Sequence, residues 1–188
     1  MKRQTIPLFV LFSFLCLTTS AKKPSASLDT QLGILLDALG RCKVSGTTGK
    51  TFVIAIVHDS SVSDETVEEI KTSFGKLKGK KVEGKSISTV VIPFEGREDL
   101  TKKLRLARAR GVFITENNEK IVREVLAATR TLKIISMSNV PDYVHWLGVT
   151  LGVEAEGRKP KVMVNLASCQ HEKITFDEEV LANASVYF

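Results

Sequence analysis

Apolar residues recur along this chain with two periods, and the alternation between them predicts its architecture. Residues 28–39 carry Leu28, Leu32, Leu35, Leu36 and Leu39 at helical spacing. Residues 51–57 (TFVIAIV) are a continuous β-branched and apolar run, the pattern of a strand buried on both faces. Ser63 stands where a helix cap belongs, followed by Asp64 and Glu65, which suit a helix N-terminus. Val67, Ile70, Phe74 and Leu77 then form that helix's apolar stripe. A connection rich in Lys and Gly (76–85) leads to a second strand, 87–92, stopped by Pro93. Residues 99–109 read as a helix with Leu100, Leu104 and Ala107 on one face, and 111–114 as a short third strand. Residues 117–131 read as a helix with Ile121, Val122, Val125 and Leu126 inward, and 132–136 as a fourth strand.

This alternation implies parallel strands joined by right-handed crossovers. The last third departs from it. Residues 147–154 and 161–166 read as two strands around the polar turn 155–160, which holds Glu156, Gly157 and Arg158 and has hairpin chemistry. Thr175 and Glu178 have capping-box spacing and open a final helix with Phe176, Val180, Leu181 and Ala184 inward. The expected fold is therefore α/β: three layers, a mostly parallel sheet flanked by helices, and a C-terminal antiparallel hairpin at one edge.

The N-terminus changes the picture. Lys2 and Arg3 precede an apolar stretch, 6–17, and Thr19, Ser20 and Ala21 supply small residues for a cleavage site. Residues 1–21 thus read as a signal peptide, 22–27 as a polar leader and 28–188 as one domain. The apolar stretch is short of the roughly 20 residues that a membrane-spanning helix needs. The 27 basic residues, less the two in the signal, stand against 21 acidic ones and leave a net charge of about +4. Such a charge favours anionic partners weakly and names none. Cys42 and Cys169 remain after cleavage. An oxidising compartment permits a disulfide between them, and two separate buried thiols are the alternative.

Catalytic and cofactor signals are sparse. Gly46 to Thr51 resembles the tail of a phosphate-binding loop, but it has two residues between its glycines where four are required, and it precedes a strand. His58, Asp59, Ser60 and Ser61 follow the first strand, where open α/β sheets place ligands, and form the candidate pocket. Capping of the next helix is the competing reading. His145 and Trp146 lie in a segment expected to be partly buried. Cys169, His171 and Glu172 make a C-x-H-E run that lacks a second ligand cluster. No nucleophile elbow is present, and adjacent His, Asp and Ser side chains cannot align as a triad. The expectation is a non-enzymatic protein without metal or cofactor. Basic residues crowd 71–85 and 97–110 without interleaved aromatics, so nucleic acid is not expected.

The segment Gly148-Val149-Thr150-Leu151-Gly152-Val153-Glu154, a polar turn, and Lys159 to Leu166 with its Val-Asn-Leu ending resemble the closing part of the YfiR-like family. Phe176, Val180, Leu181 and Ala184 fit the apolar positions of that family's last helix, and the match would run from Leu28 to the C-terminus. Gly148, Gly152 and Asn165 are its structural matches. The resemblance implies a periplasmic, non-enzymatic and often dimeric regulator that controls a membrane-bound signalling protein of the diguanylate-cyclase type by protein–protein contact. A periplasmic small-molecule binder, taking an anion near His58 to Ser61, is the alternative. If the signal reading holds, N-terminal sequencing of the exported protein yields Lys22 as its first residue, and recovery of Met1 in a membrane fraction overturns it.

Overall fold

The computed structural model describes residues 26–44, 49–155 and 159–188. The signal segment, residues 22–25 of the leader, residues 46–48 of the phosphate-loop-like run and the turn residues 156–158 lie outside the described residues. In chain order, α1 (Leu28–Leu39) and β1 (Cys42–Val44) precede the long strand β2 (Thr51–His58). There follow α2 (Asp64–Lys76), β3 (Lys81–Val82), β4 (Lys85–Pro93), α3 (Arg97–Leu106), β5 (Gly111–Ile114), α4 (Glu119–Leu132) and β6 (Ile135–Ser138). The last third holds α5 (Pro141–His145), β7 (Leu151–Glu154), β8 (Lys161–Asn165), α6 (Leu166–Glu172), β9 (Ile174–Phe176), α7 (Glu178–Asn183) and β10 (Ser185–Tyr187).

Eight strands form one sheet in the order β10-β8-β7-β6-β5-β2-β4-β3. β2 pairs parallel with β4 along its whole length, and its second half pairs parallel with β5. Parallel pairing continues through β6 to β7. β7 and β8 are the expected antiparallel hairpin, with Leu151 opposite Val164. β10 adds a parallel strand outside it. β1 and β9 form a separate antiparallel ladder.

A strand buried on both faces sends alternate side chains into two cores. In β2, Ile54 and Ile56 pack with Leu32, Leu36, Ile70 and Phe74 of α1 and α2. Ala55 and Val57 pack with Leu100 of α3 and Val122 and Leu126 of α4. These are the three layers. Phe74 meets Phe113 edge-on, with ring centroids 5.4 Å apart. Full burial of side chains such as Ile54, Ile56 and Phe113 contributes about 1.5–3 kcal/mol each. The first helix has the expected bounds, and the Ser63 hydroxyl accepts the Thr66 N–H at 3.3 Å as the cap of α2.

The last third differs in detail from expectation. α4 runs to Leu132 and ends on Lys133 in the left-handed region (φ 55°), so β6 starts at Ile135 rather than at residue 132. Thr175 does not cap a helix: it lies in β9 opposite Lys43, because Ile174 and Phe176 are buried in alternation around it. Asp177 occupies the cap position of α7. The strand over 161–166 stops at Asn165, whose side chain accepts the Ser168 N–H at 2.9 Å and starts α6. Cys42 and Cys169 are two buried free thiols in the core shared by α1 and α6, and no bridge joins them. Cys42 Sγ donates to the Leu39 carbonyl at 3.1 Å.

Gly148 adopts φ +82°, which L side chains rarely do. A Cβ on Gly152 would overlap the Val144 side chain of α5 and sit 3.3 Å from the Ser138 carbonyl. Gly152→Ala is therefore expected to lower the unfolding free energy by about 1–3 kcal/mol in urea titrations. Gly79→Ala, where a Cβ meets open space, should stay within about 0.5 kcal/mol of the parent.

Candidate functional site

The carboxyl ends of β2, β5 and β6 bring three loops together. The Asp59 N–H donates to Asn118 Oδ1 at 2.8 Å, and the Asn118 N–H donates to the Tyr143 hydroxyl at 2.7 Å. Asn118 Nδ2 also donates to the Thr115 and Glu116 carbonyls, so this buried amide locks the loop after β5. In the candidate pocket, the Ser61 N–H and hydroxyl both donate to the Asp59 carboxylate. These bonds hold the Asp59 carboxyl below its usual range. His58 Nδ1 lies 3.0 Å from the Asp59 carbonyl oxygen. The structure thus brings His58, Asp59 and Ser61 together, but as a self-bonded turn leading into α2. Ser60 is exposed.

The strongest polar cluster lies at the opposite end of the sheet. Glu172, at the end of α6, is fully buried. Its carboxylate accepts from the Thr129 hydroxyl (2.6 Å), the Thr150 hydroxyl (2.6 Å) and the Ser136 N–H (2.9 Å). One side chain so ties α4, β6 and the start of β7 to α6. Burial pushes its carboxyl above the usual range, against the lowering effect of these donors. The C-x-H-E run held the signal, because Cys169 and Glu172 are one helical turn apart on the buried face while His171 is exposed. Among the described residues, no group of three or more His, Cys, Asp or Glu side chains could hold a metal ion. Burial pushes both thiols, Cys42 and Cys169, up to about 12, which leaves them unreactive as nucleophiles.

Two surface features complete the inventory. His145 and Trp146 are exposed rather than partly buried, and the Trp146 side chain is 72% accessible. His145 stacks on Trp146 with centroids 4.0 Å apart and touches Tyr187 of β10 at 4.7 Å. Aromatic rings therefore flank the short edge strand. The basic run divides in two. Lys71, Lys76, Lys80, Lys85, Arg97 and Lys103 are ion-paired with acidic neighbours, the Lys85–Glu83 pair mostly buried and the others at the surface. Arg105, Arg108 and Arg110 converge with Lys50 on an open cleft instead.

No protein-family model and no curated protein matches the chain. Solved structures do share its fold. A conserved domain protein from Vibrio cholerae superposes with a TM-score of 0.59 at 12% identity, covering 87% of this chain and 60% of that one. An ABC domain in complex with L-Trp from Streptococcus pneumoniae gives 0.54 at 17%, covering 89% and 65%. A substrate-binding protein with adhesive properties from Clostridium difficile, in a ligand-free open structure, gives 0.54 at 10%, covering 86% and 59%. The chain thus spans less than two thirds of each of these structures. The likeness confirms an α/β sheet flanked by helices. Among the described residues, no helix is long and apolar enough to cross a membrane.

Glu172 yields a pH prediction. Its folded pKa is raised, so its favourable contribution is complete below the unfolded value and is lost as pH rises through the folded one. Glu172→Gln removes that loss: its stability relative to the parent should rise between about pH 5 and pH 8 in urea unfolding. Glu172→Ala leaves the Thr150 hydroxyl and the Ser136 N–H without their acceptor and should cost about 3 kcal/mol at pH 5, and less at pH 8 because it removes the same titration.

Proposed function

We propose that this protein is an exported, non-catalytic regulatory module that acts in the periplasm by contacting the extracytoplasmic part of a membrane signalling protein of the diguanylate-cyclase type. The observation that carries the reading is the aromatic edge. Trp146 and His145 stand beside Tyr187 of β10, a three-residue strand at the border of the sheet. Exposed aromatic side chains combine large contact area with few rotamers to freeze, and they are enriched at protein interfaces. An unpaired strand border additionally offers backbone donors and acceptors to a partner.

The resemblance of residues 148–188 to the YfiR-like family supports the same reading. Its matching residues have structural work in the fold: Gly152 makes room for Val144, and Asn165 both caps α6 and donates to the Val144 carbonyl at 3.2 Å. Family likeness at these positions thus bears on architecture, while the contact surface is this chain's own. The neighbouring Clostridium difficile structure is a substrate-binding protein, which is compatible with the small-anion alternative. The His58 to Ser61 loop, however, uses its polar groups on its own turn and on Asn118. Its Asp59 Oδ1 and Asp59 N–H are therefore already engaged within the protein.

The test is an affinity pull-down of the tagged mature protein from crosslinked native membranes, read by mass spectrometry. The expected result is recovery of a transmembrane signalling protein by the parent and at least tenfold less of it by Trp146→Ala. Equal recovery by the two, or no membrane protein at all, overturns the reading. Trp146 is exposed, so its truncation leaves the fold intact.

A further inference from the structure

The amino ends of β2, β5 and β6 open onto a cleft of about 770 Å³. Lys50 enters it from the start of β2, Arg105 from the last turn of α3, Arg108 from the following turn and Arg110 from the residue before β5. Val53 and Leu132, both half-buried, supply a small apolar wall, with Leu104 and Ile134 buried behind it. Among the described residues, no acidic one lines it and none of these four cations makes an ion pair. The nearby Lys103, by contrast, is bound to Glu95 and Asp99 on the outer face of α3.

We propose that this cleft is a binding site for a small organic phosphate. Guanidinium groups match phosphate oxygens as two-pronged donors, and three arginines and one lysine line this one cleft. The apolar wall gives the organic part a surface that free phosphate cannot use. A cleft of this size lies in the range that holds small-molecule ligands.

Helix C-termini attract cations in any case, through their partial negative charge. That accounts for a basic residue at the end of α3 or α4. It does not account for Lys50 and Arg110, which belong to strand starts and face the same space. Four full charges also outnumber the half-charges of two helix ends. The cleft lies at the opposite end of the strands from the His58 to Ser61 loop, and none of its residues belongs to the aromatic edge. The proposal stands or falls independently of the membrane partner.

The experiment is calorimetric titration of the mature protein with inorganic phosphate, phenyl phosphate and phenol at low ionic strength. Saturable one-to-one binding of both phosphates is expected, tighter for phenyl phosphate, with none for phenol. Arg110→Gln and Arg105→Gln should each weaken binding at least tenfold, with circular dichroism and urea midpoint as folding controls. Lys102→Gln, which removes an exposed charge outside the cleft, should leave affinity unchanged. Absence of saturable phosphate binding overturns the proposal. So does an equal loss in Lys102→Gln, which would reduce the effect to net charge, or equal affinity for the two phosphates, which would leave the apolar wall unused.

Discussion

The parallel strand β2 must hide both of its faces, and everything else in the molecule answers to that requirement. A strand with polar residues on neither side cannot border solvent, so helices have to cover it twice. α1 and α2 serve one face, α3 and α4 the other, and each crossover that delivers them returns the chain for another parallel strand. With both faces sealed, polar chemistry is confined to the two ends of the strands and to the sheet's border. The locked loops around Asn118 occupy one end, the Glu172 cluster and the basic cleft the other, and the aromatic residues the border.

Most of the first two thirds of the fold was legible because one signal dominated each segment, the short strands β1 and β3 excepted. The five leucines of α1, the unbroken apolar run of β2 and the Ser63 cap each point to one structure, and the structure has it. In the last third, short segments carry conflicting signals. Residues 174–176 alternate buried, exposed, buried, a strand period, yet they sit where a capping box can also be read. Three residues are too few for either period to win in sequence, and pairing with β1 decides it. The same holds for β10, a three-residue strand fixed by its pairing with β8.

The sites were less legible, and for a physical reason. His58 to Ser61 attracted attention because polar residues after a buried strand look available, whereas availability depends on bonds made across the turn and to Asn118, 59 residues away. Glu172 looked like part of a weak ligand run. Its meaning lies in Thr129, Ser136 and Thr150, none of which is near it in sequence. Basic residues at 97–110 were visible as a run, but their division into paired and converging groups is set by which side of α3 each one leaves.

The Glu172 carboxylate also determines how this end of the molecule comes apart. Lifting α6 away would expose three donors and a carboxyl group at once, so no single bond in the cluster loosens without the others following. Residues 129, 136, 150 and 172 are expected to open as one unit although they are dispersed over α4, β6, the loop before β7 and α6. The Ser136 amide proton would then exchange with solvent on the schedule of that whole unit, and not on the schedule of the short strand in which it sits.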